Sequence, residues 1–436
     1  MKKIRAIVVG AGFRAQIYAS YAKLHPDKLE IVGVAEPNPN RRDEMKRLYD
    51  LDDSRIFTNA SELAKEEKFA DAIINGTMDR EHVRSSIPLM EKGYDILLEK
   101  PFAINKDEVR ALCEAAKKYK RKVLICHVLR YASFYQLIKE KLSKRTIGEI
   151  YNIQLNEHIS YYHMATSFLR GKWRSEKECG CPMLLSKCSH DIDLLMWLKS
   201  SVGVKKLVSF GSDFAFSPDK KPCGAGTRCL LDCKIEPLCN YSAKKHYLDH
   251  EKRWAHYVWE DFASDQVLSY EEKETFLREK SQYGDCVWNT KHDVVDHQSV
   301  LIEFEDGATA SLNMVGGTAR SERNIHILGT KGEIKGTFED SKITIRTINP
   351  TSELGFDETV IDLTALNLDG VEAGFAELHK GIHDGGEYRL MDDFVRLLNG
   401  EEVSNSCTTL DDSVRGHLAI FAIEESRHDN QVKQFE

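Results

Sequence analysis

No stretch of this 436-residue chain approaches the roughly 18 uninterrupted apolar residues that a bilayer-spanning helix needs, so the sequence holds no transmembrane helix. Positive charge is in short supply. Against 69 Asp and Glu stand 61 Lys and Arg, a formal net charge of −8, which leaves no global field to attract nucleic acid or an anionic lipid surface. The eleven cysteines are odd in number, and Cys113, Cys126, Cys286 and Cys407 sit in separate segments, unlike the crowded disulfide framework of a small secreted domain. Reduced thiols and a cytoplasmic location are expected. Internal repeats and low-complexity tracts are missing. The basic start, Met1 to Arg5, precedes an apolar run that ends at Arg14 with no small-x-small cleavage site, so it reads as a buried strand and not as a signal peptide.

What is present is a 42% apolar, 30% charged composition long enough to bury more than one core. From residue 4 to about 126, apolar runs (Ile4 to Val9, Leu29 to Ala35, Ala72 to Asn75, Asp95 to Leu98, Val123 to Ile125) alternate with helical stretches. Successive βαβ units of this kind predict an α/β fold, a doubly wound parallel sheet covered by helices on both faces. Past residue 148 the pattern becomes alternating, at Gly148 to Leu155, Ser299 to Phe304, Ala308 to Met314, Arg323 to Leu328 and Lys342 to Arg346. That half reads as an α+β domain with a large, mostly antiparallel sheet and helices on one face. Tyr388 to Leu398 and Asp411 to Asn430 have helical spacing. Two domains are therefore expected, 1–126 and 127–436, with a weakly periodic insertion at about 211–297.

Directly after the first strand comes Gly10-Ala11-Gly12-Phe13-Arg14-Ala15, a G-x-G-x-x-A. Glycines at these places allow a tight turn and let backbone N–H groups approach a pyrophosphate at the start of the next helix. Glu36 ends the second strand, where an acid accepts hydrogen bonds from a ribose and repels a 2′-phosphate. NAD is the expected cofactor. Arg41 and Arg42 lie just beyond and keep NADP possible.

In order along the chain, the glycine turn, Ile73-Ile74-Asn75-Gly76-Thr77-Met78-Asp79-Arg80-Glu81-His82, Tyr94-Asp95-Ile96-Leu97-Leu98-Glu99-Lys100-Pro101-Phe102-Ala103, Arg130-Tyr131, Ile147-Gly148-Glu149-Ile150 and Ser189-His190-Asp191-Ile192-Asp193 make the sequence resemble the Gfo/Idh/MocA oxidoreductases, the glucose–fructose oxidoreductase and inositol dehydrogenase family. The resemblance is good from residue 3 to about 200. It implies an N-terminal Rossmann domain, a sheet domain through which homodimers or homotetramers form, a cis bond before Pro101, and cofactor contacts from Gly10, Gly12, Phe13, Arg14, Glu36, Arg41, Thr77, His82, Glu99 and Lys100. Two departures stand out: Met78 and Asp79 replace the family's usual Pro-Asn after Thr77, and Ser186 with Lys187 replaces the Asp that many sugar dehydrogenases of the family carry four residues before the His.

Oxidising a secondary alcohol needs the carbinol carbon near the nicotinamide and a base for the hydroxyl proton. Lys100, after a buried strand, is the candidate active-site cation. His190, read as the start of a helix Asp191 to Leu198, sits where a positive helix end keeps an imidazole neutral and able to accept a proton; the resemblance places the family's catalytic His here. Lys187 stands in for the missing Asp as a hydroxyl-binding or proton-transferring group. His158, Tyr161, His163, Trp173 and Arg174 suit a carbohydrate-like substrate, because rings stack on sugar faces while Arg and His bond hydroxyls. Cys223, Cys229, Cys233 and Cys239, with His246 or His250, have spacings that permit zinc or an iron–sulfur centre but lack a paired C-x-x-C; metal binding stays open beside plain buried thiols. The expected activity is NAD(P)-dependent hydride transfer at a hydroxyl carbon of a sugar or cyclitol. The alternatives are a redox-neutral NAD-dependent glycosidase and a nucleotide-sensing regulator.

Overall fold

The computed structural model describes residues 2–250, 253–260, 262, 266–365 and 382–435. The first sheet has six parallel strands, β1 (Ile4–Val9), β2 (Leu29–Ala35), β3 (Ile56–Phe57), β4 (Ala72–Asn75), β5 (Asp95–Leu98) and β6 (Val123–Ile125), in the order β3-β2-β1-β4-β5-β6. The order reverses at β1, and ligands of such folds bind outside the carboxyl ends of the strands at that switch point. Crossover helices α1 (Phe13–Leu24), α2 (Pro39–Tyr49), α3 (His82–Glu91) and α4 (Lys106–Tyr119) cover the sheet. Because helices lie on both faces, β4 is buried at every position and β1 at all but one.

The second sheet has nine strands: β7 (Ile150–Ser160), β8 (Val204–Ser212), β9 (His297–Phe304), β10 (Thr309–Thr318), β11 (Glu322–Gly329), β12 (Gly332–Thr337), β13 (Lys342–Ile348), β14 (Phe356–Asp362) and β15 (Lys433–Gln434), ordered β14-β13-β12-β11-β7-β10-β9-β8-β15. β8, β9 and β10 pair antiparallel, as do β12, β13 and β14. Burial alternates along β7 and β9, the mark of one buried and one wet face. The remaining long helices are α5 (Ser133–Ser143), α6 (Met183–Leu198), α7 (Tyr270–Glu279), α8 (Gly386–Asn399) and α9 (Leu410–Asp429). None among the described residues is long and apolar enough to cross a membrane.

The chain packs as two compact units, Met1–Ile153 with Ser189–Gly203 and His326–Phe421, and Gln154–Cys188 with Val204–Ile325 and Ala422–Glu436. In the first, α8 returns from late in the sequence to join the core of the parallel sheet: Leu390, Met391, Phe394 and Val395 are buried in the same cluster as Tyr18, Tyr21 and Val8. Burying each of these four is worth roughly 1.5–3 kcal/mol. Tyr21 and Lys28 clamp the outer side of α8 through Asp392, both at 2.9 Å. In the second unit, residues 213–296 contain short 3-10 and π turns and α7, whose Ser269 and Glu272 form a reciprocal capping box. Cys229, Ala243, Tyr247, Leu248 and Leu277 give this segment a small core of its own.

Candidate active site

The turn from β1 into α1 is shaped by glycine. Gly10 has φ +78, and a Cβ there would lie 2.6 Å from the Thr77 nitrogen, so the β1 and β4 loops touch only because the side chain is missing. Gly12, in contrast, faces open space, with nothing within 4 Å of the place a Cβ would take. It is the N-cap of α1, no side chain caps that helix end, and its first turn holds no acid. An open, uncapped helix start beside a switch point fits the diphosphate of a dinucleotide. Phe13, the next residue, is exposed.

Glu36 closes the other side. It is buried, with Oε2 accepting from the Ala11 N–H at 2.7 Å and Oε1 from the Asn38 N–H at 2.8 Å. The carboxylate thus lies against the glycine turn, where a ribose hydroxyl would meet its remaining lone pairs. Arg42 donates to the main-chain carbonyls of Glu36 and Pro37, at 2.6 and 2.7 Å, and Arg41, in the first turn of α2, has its N–H on the Asn38 cap.

The loops after β4 and β5 are braced together. Asn75 accepts from the Thr77 N–H and hydroxyl, at 3.2 and 2.8 Å, and donates to Ser85 and Ser86. His82 is buried with one ring nitrogen 2.7 Å from the Pro101 carbonyl and the other 2.9 Å from that of Thr77. Its ring is a strut between two loops. The Lys100–Pro101 bond is cis, and the Lys100 N–H donates to Glu99 at 2.7 Å. Glu99 also accepts from Arg14 at 3.1 Å and Tyr18 at 2.7 Å, and Arg14 reaches Glu387 at 2.9 Å. Burial opposes charge on both acids, yet Arg14 with Lys100 holds Glu99 below the usual carboxylate range, and His383 with Arg14 holds Glu387 down to about 2. Arg14 and Glu99 are therefore bonded mainly to the protein itself and frame the Lys100 backbone.

His190 is buried, and its ring lies 5.8 Å edge-on from that of His127 and 6.1 Å from that of His383. The helix start anticipated at Asp191 is not there: His190 stands midway along α6, which begins at Met183. The run from Met183 to Leu198 is buried and apolar on most sides, so Ser189 has no helix end to cap. The helix-end argument therefore does not apply to this imidazole. Burial instead acts on the neighbour, pushing His127 down to about 4 against the attraction of Asp193. Asp193, one turn beyond His190, is gripped by Arg130. His127, Arg130, Asp193, His383 and Glu387 were given no role by sequence reasoning; only Arg130 and Asp193 stood in quoted motifs.

In the second unit Lys187 lies 2.7 Å from Glu157, whose other oxygen is 2.7 Å from the Arg323 Nε, all three largely buried. Lys187 is three residues before His190 on α6 and so on a neighbouring stripe of that helix. His163 stacks on Trp254 at 3.9 Å and 9°, Trp254 lies parallel to Tyr257 at 5.5 Å, and Trp173 meets Tyr257 edge-on. This brings His163 and Trp173 together with two aromatics the sequence had not nominated. Tyr161 belongs to a different group, against His246 and Tyr241; His158 is half-buried in β7, and Arg174 lies 3.7 Å from Glu178. Of the suggested metal ligands, Cys223 is exposed and His246 is bonded to the Asn240 carbonyl. Among the described residues no three His, Cys, Asp or Glu side chains converge on one metal-ion position.

A doubly wound sheet with an uncapped glycine turn, an acid closing β2 and a lysine beyond β5 defines a dinucleotide-binding α/β enzyme. Residues 4–127 match the family model described as "Oxidoreductase family, NAD-binding Rossmann fold", and residues 139–214 match that of the family's C-terminal alpha/beta domain. The two matches are to the N-terminal and C-terminal domains of the Gfo/Idh/MocA oxidoreductases, and the first domain of this chain is an NAD-binding Rossmann domain of that type. A Bacillus subtilis protein named as an oxidoreductase, YteT, is 23% identical over 401 residues, which are 88% of this chain and 87% of that one. Two solved structures share the fold at 17% identity and a TM-score of 0.67: the WlbA dehydrogenase of Bordetella pertussis in complex with NADH and UDP-GlcNAcA (100% of this chain, 98% of that one), and levoglucosan dehydrogenase in complex with NADH and levoglucosan (99% of each).

Proposed function

We propose that this protein is an NAD-dependent dehydrogenase acting on a hydroxyl carbon of a sugar, a cyclitol or a derivative of one. The observation that carries the reading is the position of Lys100, beyond the carboxyl end of β5, with its N–H held by Glu99 in the same unit as the uncapped glycine turn and His190. Bound NAD would supply a hydride acceptor. Gly10, Gly12 and Phe13 would hold its diphosphate side and Glu36 its ribose, where the carboxylate favours NAD over NADP by charge. Thr77 lines the loop that His82 braces. The Lys100 ammonium orients the substrate hydroxyl and stabilises negative charge on its oxygen, and the His190 imidazole takes the hydroxyl proton. The relatives solved with a nucleotide sugar and with levoglucosan support a carbohydrate-like substrate.

The test is a panel of sugars, cyclitols and aryl glycosides offered with NAD or NADP, followed by absorbance of reduced nicotinamide. NADH formed one-for-one with oxidised substrate is expected. Aglycone release with no net NADH would replace this reading by a redox-neutral glycosidase.

A further inference from the structure

The cysteines of the irregular segment in the second unit remain unexplained by dehydrogenase chemistry. Cys229, Cys233, Cys239 and Cys286 wall one small cavity, together with Trp288 and the guanidinium of Arg170. Three of the thiols come from a C-x3-C-x5-C stretch, and the fourth from a segment more than forty residues on. Backbone N–H groups already point at two of the sulfurs, that of Tyr241 at Cys239, 3.3 Å away, and that of Trp288 at Cys286.

Arg170 is the decisive neighbour. It is fully buried, and its donors reach the Asp285 carbonyl at 2.6 Å, the Tyr241 carbonyl at 2.7 Å, the Tyr247 hydroxyl at 3.3 Å and the Cys229 sulfur at 3.4 Å. Among the described residues no carboxylate pairs with it; the nearest in sequence to its partners, Asp285, is taken by Arg228. A guanidinium stays charged in any protein, and burying one without an anion is expensive. Neutral thiols do not offset it. Four metal-bound thiolates do, because a divalent ion or doubly charged cluster with four of them carries a net charge of about −2.

We propose that Cys229, Cys233, Cys239 and Cys286 ligate a metal centre of the iron–sulfur type, with Arg170 as its buried counter-cation. On assembly each thiol gives its proton to solvent and binds metal as thiolate. The four thiols line one cavity without converging on a single metal-ion position among the described residues, and this bears on the content. A single tetrahedral zinc, at about 2.3 Å from each sulfur, needs them about 3.8 Å apart, and no such three-residue convergence exists among the described residues. A polynuclear cluster spaces its thiolates more widely. N–H···S bonds and an aromatic wall are the outer-shell features that hold such centres. The centre would staple a segment built of short turns around a small core, a structural task separate from hydride transfer.

The experiment is to purify the full chain without oxygen and measure iron, acid-labile sulfide, zinc and visible sulfur-to-iron absorption, before and after reconstitution with iron and sulfide. About one cluster per chain is expected, nearly all of it lost in Cys233→Ser and Cys286→Ser and retained in Cys223→Ser, whose thiol is exposed. Mass-spectrometric alkylation of the unmutated protein gives a second readout that survives a folding failure of the variants: Cys223 should label at once, and the four cavity cysteines only after chelation. Zinc lost with the same variants would uphold the four-thiolate centre and overturn the cluster as its content. A chain that stays metal-free after reconstitution, a disulfide among the four, or metal that survives both variants overturns the proposal.

Discussion

Arg130 holds Asp193 in a buried two-pronged grip, Nε to Oδ2 at 2.7 Å and Nη2 to Oδ1 at 2.5 Å, with both side chains about 5% exposed or less. The pair ties the turn after β6 to α6, three residues from His190. Removing one partner strands the other charge in low dielectric, so Asp193→Asn should lose about 3–5 kcal/mol of stability, whereas replacing both, as in Arg130→Met with Asp193→Leu, should restore much of it. Urea midpoints of the two single variants and the double variant check this; simple additivity would sink it.

Glu36 predicts cofactor choice. Its carboxylate accepts two backbone N–H bonds beside the glycine turn, one on each oxygen; Glu36→Gln keeps the size and, through its amide oxygen, one of those bonds while removing the charge that repels a 2′-phosphate. The ratio of kcat/KM for NAD over NADP should fall about tenfold or more, the equivalent of losing about 1.4 kcal/mol of discrimination. An equal fall with both cofactors would mean that Glu36 only stiffens the turn.

How much of this could be read beforehand follows from range. The five long strands of the first sheet were legible because each is a continuous apolar run closed by turn residues; β3 escaped because it is two residues long. On the second sheet, β14 escaped because an edge strand with five exposed residues and none fully buried carries no apolar period, and β12 because Ile334 alone is buried in it. Lys100 and the glycine turn were visible because their chemistry sits within a few residues of a strand end. The Arg14 to Glu387 bond spans 373 residues, and nothing local marks Glu387 as part of that frame. The misplaced start of α6 shows the opposite failure: Ser189-His190-Asp191 looks like a capped helix start, but the largely apolar run before it packs on most sides and the helix continues through it.

Acid sensitivity follows from two buried histidines. His417 donates to the Ala103 carbonyl at 2.7 Å and stacks on Phe102, and burial takes it down to about 3, as it takes His127 to about 4. Above the ordinary value near 6.5 neither the folded nor the unfolded state holds the extra proton. As pH falls below that, the unfolded chain takes it up and the folded protein does not, so stability declines until the folded values are reached. His417→Gln keeps a donor for Ala103 and removes one titration. Between pH 6 and 4 its stability should fall less steeply than that of the unmodified protein, by up to about 1.4 kcal/mol per pH unit; parallel curves would show that His417 titrates alike in both states.

Lys100 carries the sharpest expectation. Its ammonium is assigned to the reacting hydroxyl, while the cofactor is held chiefly by backbone and by Glu36, so binding and turnover should separate. Lys100→Met should lower kcat by about 10²- to 10⁴-fold, the usual reach of a positioned acid–base group, and change NAD affinity by less than about tenfold, as read from quenching of tryptophan fluorescence. Lys100→Arg should not rescue turnover: a guanidinium keeps the charge but spreads it over a rigid plane that cannot place one N–H donor where the ammonium stood. Full activity in the Arg variant would reduce Lys100 to a source of positive field, and full activity in the Met variant would take it out of the chemistry altogether.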